Sequence, residues 1–184
     1  MNNLTTRLLL NFIITLAISL CIAIFITFQV IPSHIAKQIS NNVQKIAQSV
    51  EVTFGDGTKG EFLLIGEEGK VGFLVGSGKK GEAVEEKIIA NKVNKYMWHF
   101  WGDKDSISGD FKVVGTDKEG KEHPVLVSGN DTVWQYSNTS ISPNNGADSH
   151  IPSNMLFPTS GLWKLEIYFN DKLFDEIVIN VEDS

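Results

Sequence analysis

Apolar residues change their spacing twice along this chain. Residues 8–31 show no spacing at all: 24 positions without a charged side chain, interrupted only by Asn11, Thr15, Ser19, Thr27 and Gln29. As a helix rising about 1.5 Å per residue, the run reaches roughly 36 Å, enough to cross a hydrocarbon core about 30 Å thick. In lipid every backbone polar group must be bonded within the segment, so the run predicts one membrane-spanning helix. Pro32 ends or kinks it. Ile35, Ile39, Val43, Ile46 and Val50 then recur three or four residues apart, the period of one helical face, with Gln38, Ser40, Asn41, Asn42 and Gln44 on the other side. We expect a short amphipathic helical stalk over 33–50. It would lie on the membrane, pair with another copy or dock on its own domain.

From Val50 onward the period becomes two. Val50, Val52 and Phe54 alternate with polar residues, and Gly55, Asp56 and Gly57 turn the chain. Strands are predicted at 61–65 and 71–75, joined by a glycine-bearing hairpin loop, and further strands at 110–114, 122–127 and 133–136. A final hairpin, 162–169 and 173–181, turns across Asn170, Asp171 and Lys172, with Trp163, Leu165 and Ile167 inward. Residues 83–92 have the composition for a helical turn or two. The stretch 137–161 has no strand pattern and reads as a loop of 25 residues. Eight or nine short strands at intervals of about ten residues are the pattern of a β-sandwich. The chain thus divides into 1–32 (tail and membrane anchor), 33–50 (stalk) and 51–184 (a mainly β domain).

The stretch 95–102 carries the largest side chains. In a strand, Tyr96, Trp98 and Phe100 point one way and Met97, His99 and Trp101 the other. A central strand covered on both sides fits this pattern, as does one face packing the core while the other lines a cleft. Between Met97 and Trp101, His99 fits a hydrogen-bonded packing histidine better than a ligand.

Charge and cysteine content narrow the setting. The net charge is −6, and residues 51–184 carry all 22 acidic residues but only 13 of the 16 basic ones. So negative a domain repels phosphate backbones, which disfavours nucleic acid as a partner. Cys21, the single cysteine, lies inside the apolar run, so the domain has no disulfide, as fits a bacterial surface protein better than an animal ectodomain. A short tail ahead of a long apolar segment is the layout of an uncleaved signal anchor, with the N-terminus cytoplasmic and the domain extracytoplasmic. Leu20 just before Cys21 argues against lipoprotein processing there. Paired metal-ligand spacings, phosphate-binding glycine loops and nucleophile elbows are all missing from the sequence, so no enzyme activity, cofactor or metal is expected. His123, ahead of Pro124, is expected to face solvent.

Several motifs resemble a known family. Gly69-Lys70-Val71-Gly72-Phe73, Asn94-Lys95-Tyr96-Met97-Trp98-His99-Phe100-Trp101-Gly102, Ser142-Pro143-Asn144-Asn145-Gly146-Ala147-Asp148, Pro152-Ser153-Asn154-Met155, Gly161-Leu162-Trp163-Lys164-Leu165 and Leu173-Phe174 are similar to stretches of an exported family from Bacillus and related Gram-positive bacteria. Its members include lipoproteins and membrane-anchored proteins of no established activity. The resemblance spans roughly 54–181 and implies an immunoglobulin-like exported domain.

Two functions of different class follow. One is a membrane-anchored binding module that recognises cell-wall material, a peptide or another envelope protein. The other is a structural or accessory subunit of an envelope membrane complex. For the first, loops longer than about 12–15 residues in compact domains tend to carry function, which points to 137–161. There Asn144, Asn145, Asp148 and His150 offer polar groups for a ligand, beside His99 or Trp101. The same side chains could equally brace their own backbone in successive turns.

Overall fold

The computed structural model describes residues 47–184. Among these, fourteen strands follow one another: β1 (Ala47–Thr53), β2 (Lys59–Ile65), β3 (Val71–Lys79), β4 (Val84–Glu85), β5 (Ile88–Ile89), β6 (Asn94–Phe100), β7 (Gly109–Thr116), β8 (Glu122–Pro124), β9 (Leu126–Ser128), β10 (Asp131–Val133), β11 (Gln135–Thr139), β12 (Ser149–Met155), β13 (Gly161–Phe169) and β14 (Lys172–Glu182). An eight-stranded sheet runs β1-β2-β3-β6-β12-β9-β10 with β4 on β3; a six-stranded sheet runs β11-β7-β13-β14-β5 with β8 on β7. The mainly β expectation is met by two sheets facing across one core. The membrane span and most of the stalk lie outside the described residues. Within them, no helix is long and apolar enough to cross a membrane.

Trp98 holds the centre. Fully buried, it packs on Phe73 (4.5 Å between ring centroids) in its own sheet and on Phe111 (5.9 Å) in the other. Phe100 meets Phe169 edge-on at 5.1 Å, and Phe157 meets Trp163 at 5.4 Å. The final hairpin forms as expected but with a two-residue turn. Phe169 pairs with Lys172, and Asn170 and Asp171 take φ of 50° and 60°, the left-handed pair that matches strand twist.

Five expectations need correction. First, β1 begins at Ala47, so residues 47–50 of the expected stalk are extended. Val50 and Val52 have a partner in β2, pairing with Phe62 and Gly60, and a ladder satisfies backbone groups that an isolated short helix would leave marginal. Second, 83–92 forms β4 and β5 rather than helical turns: Ile88 pairs with Val181 and is buried under the sheet edge. Third, the expected strand 122–127 is two strands in different sheets, with fully buried Val125 between them. The chain at 131–139 likewise crosses from one sheet to the other. At the Val125 crossing Gly115 has no room for a side chain; a Cβ would stand 2.5 Å from Val125 Cγ1 and 3.1 Å from the Trp163 ring.

The fourth correction matters most for the site. The expected loop 137–161 contains β12, which pairs with β6 along its whole length. Its inward positions are Ser149, Ile151, Ser153 and Met155, all buried. Two of the four are serines, because the Trp98 indole occupies the space and donates to Ser153 Oγ at 3.0 Å. Pro152 further hides the strand, and is tolerated because β9 pairs only with Asn154 and Met155 on β12's other side. Fifth, His123 is half-buried rather than solvent-facing. Its Nε2 lies 2.8 Å from Asp117 Oδ2, and its ring packs 5.1 Å from Trp163.

Candidate functional site

Alternation along β6 sends Tyr96, Trp98 and Phe100 into the core and Met97, His99 and Trp101 to the opposite face of the eight-stranded sheet. That outer face is not simply left to water. Opposite His99 on β3 stands Gly72, and Leu64 of β2 crosses over it so closely that a Cβ there would lie 2.8 Å from Leu64 Cδ1. Leu64 is 1% exposed yet belongs outside the main core cluster. Phe62 lies 6.3 Å from the His99 imidazole, Trp101 stacks beside it at 6.3 Å, and Phe54 extends the group 6.1 Å from Phe62. The result is a second, small apolar cluster with an imidazole at its centre.

His99 is 1% exposed, and neither Nδ1 nor Nε2 has a hydrogen-bond partner. Burial first, and His150 second, push its pKa down to about 4, so the ring is neutral at neutral pH. A neutral imidazole has one donor and one acceptor nitrogen, and leaving a buried polar group unmet costs about 1–3 kcal/mol. The expected hydrogen-bonded packing histidine is therefore packed without the bonds. Facing it in the β6–β12 ladder is His150. The Nδ1 of His150 lies 2.6 Å from the Ser142 carbonyl, which also accepts the His150 backbone N–H at 2.9 Å. A carbonyl only accepts, so Nδ1 carries the hydrogen, and in the neutral ring the lone pair then sits on Nε2.

The segment leading into β12 folds over the end of β6. Asn144 and Ala147 exchange backbone bonds of 3.2 and 2.9 Å around Asn145 (φ 51°) and Gly146 (φ 81°), the Asn-Gly turn of a miniature hairpin. Gly146's carbonyl accepts the Trp101 indole N–H at 2.8 Å, and Asp148 Oδ2 accepts the Gly102 N–H at 3.0 Å. All six candidate residues, His99, Trp101, Asn144, Asn145, Asp148 and His150, thus come together at one end of β6 and β12. Their tasks differ. Trp101, Asp148 and His150 brace the backbone, whereas no side-chain bond among the described residues uses the amides of Asn144 or Asn145.

Sequence reasoning missed Phe62, Leu64 and the Ser142 carbonyl. Nothing local joins 62–64 to 99, since they meet only through the β2-β3-β6 order. Asn145-Gly146, in contrast, carries a local hairpin signal that the reading of 137–161 as one loop leaves unused. Elsewhere, a polar cleft of ≈ 360 Å³ is lined by Asn91, Asp117, Glu119, Ser160 and Asp183 among others, away from the six candidates. Asp117 Oδ1 also accepts the N–H groups of Glu119 and Lys121, so its carboxylate is committed to the turn. Among the described residues no three His, Cys, Asp or Glu side chains are grouped to share a metal ion.

Two sheets on one aromatic core, with a braced polar turn beside a buried imidazole, define an all-β domain. Its family is shown directly: the chain belongs to the family described as a domain of unknown function, DUF4871, which matches residues 58–179. It is also similar to a Bacillus anthracis protein, provisionally assigned as a lipoprotein, whose X-ray crystal structure is known. The two are 26% identical, over 74% of this chain and 85% of that one, with a TM-score of 0.53. Among curated proteins none matches. These likenesses agree with the exported family read from the motifs.

Proposed function

We propose that the chain is a membrane-anchored, extracytoplasmic interaction module of the bacterial envelope, without catalytic chemistry, whose binding surface is the braced turn 142–148 beside Trp101. The lipoprotein-like relative and the apolar run at 8–31 support the envelope setting. The observation that carries the surface is the bracing of the turn: Trp101, Asp148 and His150 hold its backbone, while the amides of Asn144 and Asn145 are left for a partner. Preorganisation of this kind lowers the ordering cost of binding. A sugar, peptide or envelope protein with donor and acceptor groups suits such amides. We take the two-sheet core around Trp98 as an elaborated immunoglobulin-like sandwich, although fourteen strands exceed the seven to nine of the simple forms.

The test is capture from solubilised envelopes by full-length protein, wild type against Asn144→Ala/Asn145→Gly. The pair removes both amides, and glycine keeps the left-handed backbone at 145. Loss of the captured species with melting unchanged is the expected result. Equal capture by both proteins would move the binding surface elsewhere.

A further inference from the structure

We propose that His99 and His150 form a two-histidine site for a divalent transition-metal ion of borderline softness, copper(II) first and nickel(II) or zinc(II) after it. Three independent features of the pair lead there. The two histidines are direct partners in the antiparallel β6–β12 ladder, and cross-strand partners have Cβ atoms about 4.5–5.5 Å apart, a separation that lets two side chains reach one ion. The bond to Ser142 selects, for the neutral His150 ring, the tautomer that a ligand needs. Its Nδ1–H is given to the Ser142 carbonyl, the kind of outer contact that orients metal-binding imidazoles, and its Nε2 lone pair is free of that bond. His99, 1% exposed, has two ring nitrogens with no partner, and an orphaned buried polar group calls for a missing water or ion.

The donor set limits which metals fit. Imidazole nitrogens suit copper, nickel and zinc, and with equal ligands the affinity order favours copper(II). Magnesium and calcium seek oxygen donors and are not expected. Because the described residues supply no third His, Cys, Asp or Glu ligand, the remaining coordination positions fall to water or to a donor brought by a bound partner. A two-ligand site of this sort is an open one. The inference rests on the imidazole pair and not on the interaction surface proposed above, so envelope capture and metal binding can fail separately.

The experiment uses full-length protein in detergent, stripped with chelator and titrated with copper(II) chloride, then with nickel(II) and zinc(II). Expected is one bound copper(II) whose electron paramagnetic resonance spectrum shows coupling to two imidazole nitrogens, together with a raised melting temperature. His99→Leu keeps the apolar packing, and His150→Gln keeps a donor for Ser142. Each should weaken copper(II) binding by about tenfold or more, since losing outer contacts alone costs about 10–100-fold. His123→Gln, far along the chain in the Asp117 pair, should bind as wild type does. Titration of wild type without a bound ion, or binding by all three variants equal to that of wild type, overturns the site. Should His99→Leu fail to fold, His150→Gln with its spectrum decides the question alone.

Discussion

Removing the Trp98 side chain should cost more than any surface change, and the bond to Ser153 lets the cost be divided. Trp98 is 0% exposed and touches Phe73, Phe100 and Phe111 across both sheets. A buried aromatic of this size removes about 150–250 Å² from water, worth roughly 4–6 kcal/mol at about 25 cal/mol per Å². Measured truncations of buried Trp and Phe to Ala cluster at about 3–5 kcal/mol, and we expect Trp98→Ala within that range. For a domain of this size that corresponds to a fall in melting temperature of roughly 10–20 °C. Ser153→Ala leaves the indole N–H buried without its 3.0 Å acceptor, and Trp98→Phe leaves the hydroxyl without its donor. Each orphan costs about 1–3 kcal/mol. The double variant Trp98→Phe/Ser153→Ala removes both, so it should be less destabilised than the sum of the singles by about 1 kcal/mol or more. Urea unfolding of a fragment spanning 47–184, followed by circular dichroism, measures all four. Additivity would refute the coupling, and an unchanged melting temperature for Trp98→Ala would place β6 at the surface.

Three further outcomes are expected. Gly115→Ala drives a methyl into Val125 and Trp163 and should destabilise the same fragment by about 1–3 kcal/mol, read as a lowered urea midpoint; a wild-type midpoint would mean that the sheets separate there at no cost. The bond from His123, followed by the Lys121 N–H, holds the Asp117 carboxyl below the usual carboxylate range. Its stabilising effect is therefore fully present above the unfolded value of 3.8 and is lost as pH falls through the lower folded value, so Asp117→Asn should flatten stability against pH in that acid window; parallel curves for the two proteins would dismiss the His123–Asp117 bond as its source. Full-length protein should stay in the membrane fraction after alkaline carbonate washing, because about 20 apolar residues suffice for lasting insertion, and recovery of a shortened form from the medium would show a cleaved anchor instead.

What the sequence determined by itself was whatever a local pattern encodes. The alternation of Trp163, Leu165 and Ile167 marked β13, because one face of that strand is buried and the other is not. Asn170 and Asp171 marked its turn, since they tolerate a left-handed backbone. Large side chains on both faces of β6 announced a central strand. Tertiary structure decided the rest. β12 was hidden because its inward serines are small enough to lie against Trp98 and Phe100, a fit that exists only once β6 is its neighbour. The breaks at Val125 and between β10 and β11 follow from the chain changing sheets, which leaves no mark on periodicity. Of the site, polar residues around 142–150 could be named from composition, but not their division between bracing and free groups. The facing of His99 and His150 is a matter of register, and register is set by strands that pair across 51 residues of chain.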